Sequence, residues 1–331
     1  MTNSLNEFSW FVTGATGGVG FELIMYLCQH QIPVIGLAQH SSNPELINQL
    51  RSFGAEIILG NILEPDSYSN SLSMVKVIVH TAAIIQTEYH EQYKLVNING
   101  TKIIRDLAIE YQIKRFIHIS SCGVYGKTEN LYTLEKSPTK PLSPYTRSKL
   151  ESERILLENK DELNLTIFRP PFIIGEYDRY VVPSIVRFFG RKVIPKFFKN
   201  DPLIGFVHTQ DIVKILFEIG LKENSPHIIY NIQSFALRYT EVVHLVHELE
   251  HKRTYFIPLS FTILSFFTLP IDLLLKFIKK SGVSANIRRM RTNWVFSTKS
   301  LQDDFNWTPT FSSKDLELLI SNYLTNRDEY I

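Results

Sequence analysis

Two periods alternate along the first half of the chain. Short runs rich in β-branched and aromatic residues fall at 8–13, 34–38, 56–59, 75–80 and 116–120. Between them, at 20–29, 44–53 and 92–111, apolar residues recur at helical spacing. Strands separated by helices imply right-handed βαβ units and a parallel sheet. Ser143, a cap-like residue before Pro144, starts a further helix, and a strand at 165–169 ends at Pro170-Pro171. Beyond Pro171 the alternation loosens. Helical patterns at 182–189, 210–220, 240–249, 259–279 and 314–324 dominate, with short strands near 204–207 and 228–231. The pattern predicts an α/β protein in which a doubly wound parallel sheet occupies residues 1–171. A smaller, mostly helical substrate domain follows at 172–331, interleaved with the end of the sheet. The chain shows no internal repeat and no low-complexity segment.

Composition narrows the class. The 331 residues are 44% hydrophobic and 21% charged, as in an ordinary globular protein with ample material for a core. A net charge of +2 supplies no global field that would draw the chain to nucleic acid. Cys28 and Cys122 form neither a disulfide framework nor a CxxC pair, which fits a reducing compartment. Glu7 interrupts any signal-peptide pattern, so a cytoplasmic location is expected. Residues 256–271 are strongly apolar, but Pro258, Pro270 and Asp272 leave too short a run for the ~20 residues that a bilayer span needs. The run reads as a buried helix pair or an apolar wall, with weak peripheral membrane contact as the alternative. Basic residues at 276–280, Arg288, Arg289 and Arg291 read as a solvated face.

The first apolar run ends in Thr13-Gly-Ala-Thr-Gly-Gly-Val-Gly20, which places Gly14, Gly17 and Gly20 three apart between a strand and a helix. Such a turn calls for positive φ and close backbone approach, both cheap only for Gly. The helix behind it presents free N–H groups and partial positive charge to a pyrophosphate. After the first strand of a βαβαβ pattern, this arrangement is a dinucleotide site of Rossmann type.

The spacing Gly-x-x-Gly-x-x-Gly resembles the glycine motif of the extended short-chain dehydrogenase/reductases (the NAD-dependent epimerase/dehydratase family). Further stretches resemble other motifs of that family: Val79-His-Thr-Ala-Ala83, Asn97-Ile-Asn-Gly-Thr101, Ile119-Ser-Ser-Cys-Gly-Val-Tyr-Gly126, Tyr145-Thr-Arg-Ser-Lys149, Arg169-Pro-Pro-Phe-Ile-Ile-Gly175, and Phe206-Val-His208 with Asp211. They run in order over nearly the whole chain. The resemblance implies NAD or NADP contacts at Gly14, Thr16, Gly17, Gly18, Val19 and Gly20, at Thr81, Ala82, Ala83 and Asn97, and at Tyr145, Lys149, Pro170 and Phe172. Gln39 and His40 stand where an acid normally grips the adenine ribose, and Asn61-Ile62 where the family has an acid before Leu or Ile against the adenine. With neither an acid nor an arginine after the second strand, the choice between NAD and NADP stays open. A homodimer is implied as well.

Tyr145 and Lys149 are four apart, on one face of a helix. A free phenol titrates near ~10, and a nearby ammonium with the oxidised nicotinamide ring favours the phenolate. Tyr145 is therefore read as general acid/base. By resemblance, Lys149 also holds the nicotinamide ribose and Ser121 the substrate oxygen, with Ser120 the fallback. Tyr125 reads as structural. His80, His118 and His208 read as core or pocket-edge residues rather than metal ligands, because nothing pairs them at ligand spacing. Cys122 lacks a His–acid arrangement to activate it.

Members similar to this chain act on nucleotide sugars, sterols, terpenoids or flavonoids. Cys122-Gly123 stand where the family's dehydratases carry an acidic pair, which disfavours dehydration. Phe188-Phe189, Phe197-Phe198 and the 256–271 run favour an apolar substrate, although Arg187, Arg191 and Lys192 could serve a diphosphate. The expectation is an oxidoreductase acting on a hydroxyl or ketone of an apolar small molecule, in character closest to 3β-hydroxysteroid dehydrogenases. A nucleotide-sugar 4-epimerase with retained NAD and a non-catalytic cofactor-binding scaffold are the alternatives.

Overall fold

The computed structural model describes residues 9–127, 131–196, 201–222, 225–258 and 292–326. The expected helix at 259–279, the Phe197-Phe198 pair and Arg288, Arg289 and Arg291 lie outside the described residues. The elements run β1 (Ser9–Thr13), α1 (Gly18–Gln29), β2 (Val34–Ala38), α2 (Pro44–Ser52), β3 (Glu56–Leu59), β4 (Val75–His80), a single turn α3 (His90–Gln92), α4 (Gly100–Glu110), β5 (Arg115–Ile119), α5 (Pro144–Glu158) and β6 (Leu165–Arg169). They continue with β7 (Phe172–Ile174), α6 (Val181–Phe189), β8 (Val193–Lys196), β9 (Leu203–His208), α7 (Thr209–Gly220), β10 (Ile229–Asn231), β11 (Phe235–Arg238), α8 (Tyr239–Leu249), β12 (Tyr255–Pro258), α9 (Lys299–Phe305) and α10 (Ser313–Thr325).

Seven strands form one parallel sheet in the order β10-β6-β5-β4-β1-β2-β3. β1 shows why helices are needed on both faces. Trp10 points to a core shared with α1 and α7, where its ring stacks on Phe217 at 6.3 Å. Phe11 points to the opposite core, shared with α4 and α5, and stacks on Tyr68 at 5.8 Å. A strand covered on both faces has no polar side, so β2 and β5 are buried along their whole length.

The segment from 92 to 111 is more divided than its periodicity implies. Tyr93–Asn99 is wound as a π-helix and passes into α4 at Gly100. Beyond Pro171, small strands accompany the helices. β7, β9 and β11 make a three-stranded sheet, and β8 pairs with β12. A third core joins that sheet to α6, α8 and α10. β10 returns to the main sheet beside β6, so the C-terminal half is threaded into the first.

Candidate functional site

In a parallel sheet all C-terminal strand ends lie on one edge, and here the ends of β1, β4, β5 and β6 deliver the sequence motifs to it. At the end of β1, Gly14 takes φ +73°, and a Cβ at Gly20 would sit 2.3 Å from the Gly14 carbonyl oxygen. Gly20 thus allows α1 to rest on the turn itself. Gly17 is different: it is exposed, and a Cβ there would meet only the Gly14 oxygen, at 3.3 Å. Gly17 is the N-cap of α1 and supplies no side-chain cap, so the first-turn amides at Gly18 and Val19 face outward without a side-chain partner. Thr16 reaches across to Ser42 at 3.0 Å, tying the turn to the loop after β2.

Behind the turn lies a closed chain of hydrogen bonds. Thr101 donates to the Asn97 carbonyl at 2.6 Å, so its hydroxyl accepts from His80 Nε2 at 3.0 Å. Thr13 then donates to His80 Nδ1 at 2.8 Å and accepts from the Ala82 amide at 3.2 Å. His80 is held as the neutral Nε2–H tautomer, and burial, with the Lys149 charge adding to it, lowers its pKa to about 3. Thr81 donates to the Thr13 carbonyl at 2.7 Å. Asn97 is itself fully committed: its amide oxygen accepts from Ile84 N, and its nitrogen donates to the Ile84 carbonyl and to Ser148 Oγ. Its side chain clasps the strand-end loop around Ala83 to α5.

The adenine-side residues divide similarly. Gln39 and His40 are exposed beyond β2, without a side-chain hydrogen bond among the described residues. Asn61 caps its own turn, accepting from Leu63 N at 3.1 Å and donating to Glu64 at 3.2 Å, while Ile62 is buried.

Ser143 caps α5 through a capping box with Thr146, and Pro144 occupies the first turn. The helix therefore starts immediately before Tyr145. The Tyr145 phenol lies near enough to the Ser121 hydroxyl to be acted on by it, and its ring lies 6.3 Å from that of Tyr93. Burial and the Tyr93 hydroxyl raise its pKa to about 12, against the Ser121 hydroxyl, which lowers it. Lys149, one turn on, is 2% exposed, and its ammonium has no hydrogen-bond partner among the described residues. Burial brings its pKa down to about 7, with the Glu153 charge acting in the other direction. A buried ammonium without a hydrogen-bond partner among the described residues, one helical turn from a phenol, fits a ribose, and the α1 N-terminus at the glycine turn fits a pyrophosphate. Pro170 is buried and accepts from the Cys122 amide at 2.8 Å; Phe172, just beyond it, is 44% exposed.

Sequence reasoning passed over the layer beneath. Glu153 accepts from Ser120 Oγ at 2.5 Å, from Arg169 Nε at 2.9 Å and from Arg169 Nη2 at 2.5 Å. Arg169 also donates to the Tyr125 hydroxyl at 2.9 Å, which donates to Asn231 at 2.7 Å. The signal was present: Glu153 follows Tyr145 and Lys149 at four-residue steps, on the buried face of α5. Among the described residues no three His, Cys, Asp or Glu side chains form a group that could hold a metal ion, and no helix is long and apolar enough to cross a membrane.

A parallel sheet with this strand order and a glycine turn at its first strand is the architecture of dinucleotide-binding α/β enzymes. The model of the NAD dependent epimerase/dehydratase family matches residues 10–232, and the chain belongs to that family. It is 30% identical over 189 residues to sterol demethylase protein B of Methylococcus capsulatus, covering 55% of each chain. It is 24% identical over 189 residues to the decarboxylating sterol-4-alpha-carboxylate 3-dehydrogenase of Saccharomyces cerevisiae, covering 54% of each. The chain thus spans little more than half the length of these curated relatives. The fold extends further. The dTDP-glucose 4,6-dehydratase of Streptomyces venezuelae, solved with NAD, superimposes with a TM-score of 0.77 at 19% identity over 97% of this chain and 98% of that one. The UDP-glucose 4-epimerase of Thermotoga maritima does so with a TM-score of 0.74 at 19% identity, over 96% and 99%.

Proposed function

We propose that the protein is an NAD(P)-dependent oxidoreductase that transfers hydride to or from a hydroxyl/ketone of an apolar, sterol- or terpenoid-like substrate. The observation that carries the reading is the placement of Tyr145 beside Ser121, one helical turn from a buried Lys149 that makes no hydrogen bond among the described residues. A bound nicotinamide supplies the hydride. Ser121 holds the substrate oxygen, and Tyr145 donates its phenolic proton to that oxygen as the carbonyl becomes an alcohol; in the reverse direction it takes the proton back. With a pKa near 12, Tyr145 stands protonated at neutral pH, the state that ketone reduction requires. Lys149 is assigned to the ribose.

Two observations support an apolar substrate. Ile85 is 46% exposed next to Tyr93, whose hydroxyl donates to its carbonyl, and Phe172, at the start of β7, is 44% exposed. An apolar ligand covering such surface would recover about 25 cal/mol per Å². The relatives named for sterol chemistry point the same way. The test is a screen of purified full-length protein for NADH or NADPH oxidation with 3-ketosteroids and terpenoid ketones, beside UDP-sugars. Cofactor-dependent ketone reduction is expected. Interconversion of UDP-glucose and UDP-galactose on retained NAD, with no ketone turnover, would establish the epimerase reading instead.

A further inference from the structure

The polar layer under the site is organised around one carboxylate. Glu153 is 1% exposed, and its two oxygens take three donors: Ser120 Oγ from the end of β5 and two guanidinium nitrogens of Arg169 from the end of β6. Ser120 adjoins Ser121, and Arg169 adjoins Pro170. Glu153 itself lies on α5, one turn beyond Lys149 and two beyond Tyr145. One side chain therefore fastens together the three elements whose relative placement decides whether Ser121 meets Tyr145. A buried carboxylate needs such partners, since burying an ion uncompensated costs several kcal/mol. Arg169 alone meets the charge requirement. Ser120 and the placement beside Lys149 have no part in that balance.

Charged and titratable groups reach Lys149 from every neighbouring element. Tyr145 and Glu153 come from its own helix, His80 from β4, His118 from β5, and Arg169 stands behind Glu153 on β6. Burial, followed by the Lys149 charge, holds both histidines neutral. Glu153 is thus the anion that acts in favour of the Lys149 ammonium. We infer that Glu153 is a positioning residue for proton transfer at Tyr145: it holds Lys149 as an ammonium and locks the Ser121 strand end and the Pro170 turn to the catalytic helix. This assignment rests on the oxidoreductase reading above for its consequence in turnover, but not for its effect on Lys149.

The experiment follows Lys149 directly. Full-length protein labelled with ¹³Cε-lysine is titrated by NMR, with the Lys149 resonance assigned by its loss in Lys149→Arg. In Glu153→Gln the anion is removed and the Arg169 charge is left unbalanced. Both changes disfavour the ammonium, so Lys149 should lose its proton at least about one pH unit lower than in wild type. If that variant does not fold, Glu153→Gln combined with Arg169→Gln removes both charges of the pair, and a downward shift is still expected. A Lys149 titration that overlays wild type in the folded variant overturns the inference. In parallel, the alkaline limb of kcat for ketone reduction should move to lower pH in step with Lys149, and Glu153→Asp should restore part of it. A shift of Lys149 with an unmoved limb leaves the Glu153–Lys149 coupling intact and sinks the role of Lys149 in turnover.

Discussion

Tyr145, which is partly exposed, differs from the buried tyrosines in its neighbour. Tyr68 donates to the Ile62 carbonyl, Tyr125 to the Asn231 side chain and Tyr230 to Asp304. These are fixed acceptors that lock a phenol in place. Tyr145 stands beside the Ser121 hydroxyl, a group that can rotate to donate or accept as the phenol changes state. Tyr145→Phe should therefore keep cofactor affinity within a few-fold of wild type and lower kcat by roughly 10²–10⁴-fold, the usual worth of a general acid/base. Fluorescence titration of NAD(P)H beside steady-state rates separates the two effects, and wild-type turnover would remove Tyr145 from the mechanism. Lys149→Met should weaken cofactor binding and turnover together, because the proposed reading gives its ammonium both the ribose and the support of Tyr145.

At the scale of the element, the strand-turn-helix unit assigns its glycines separate tasks. A Cβ at Gly20 would strike the turn at 2.3 Å, whereas one at Gly17 would meet the Gly14 carbonyl oxygen alone, at 3.3 Å. Gly20→Val is expected to lower the melting temperature or prevent folding. Gly17→Val should melt like wild type yet bind neither NAD nor NADP, since its side chain fills the space before the helix amides. Calorimetry with and without cofactor decides this, and wild-type binding by the Gly17 variant would reduce the motif to a mere turn. How far sequence reached follows similar physics. β2, β4 and β6 keep the boundaries their apolar runs imply, because strands buried on both faces leave no ambiguity of period, and the edge strand β3, exposed at Glu56 and Leu59, keeps its boundaries as well. β7, β8, β11 and β12 escaped notice: they are three or four residues long, partly exposed, and prolines stand next to β7 and inside β8 and β12. Tyr145 and Lys149 could be read as a pair because they stand four apart on one helix, whereas Ser121, 24 residues earlier, came only from the family resemblance. The Glu153–Arg169 pair was not, since a charged residue on a helix reads as solvent-facing until a partner 16 positions away is seen to fold back on it.

For the whole molecule, Asp211 is the clasp. It is buried on α7 and accepts from Ser234 Oγ at 2.6 Å and from the amides of Thr310 and Phe311 at 2.9 and 3.3 Å. Nearby, the His208 ring stacks on Phe311 at 3.8 Å. The sequence motif that contains these residues thus fastens the segment entering α10 to the end of β9. Asp211→Ala would remove the acceptor of those part-buried donors and leave a small gap in α7, a loss on the order of 1 kcal/mol for each hydrogen bond. It should lower the melting temperature by several degrees and open the chain near residue 310 to limited proteolysis, with unchanged melting as the contrary result.

The placement of β10 carries a consequence for how the chain is made. On the ribosome the growing polypeptide can pair β1 through β6 from its own first half, but the strand that covers β6 begins at Ile229, 60 residues after Arg169. At roughly 5–20 residues per second, the outer edge of β6 stands uncovered for about 3–12 s of synthesis. During that interval a row of unpaired amides and carbonyls on a strand that carries Leu165, Ile167 and Phe168 is open to any other extended chain. Slow translation between residues 170 and 229 should prolong that exposure, and yield in the cell should then depend on chaperones that shield strand edges more than on the stability of the finished protein.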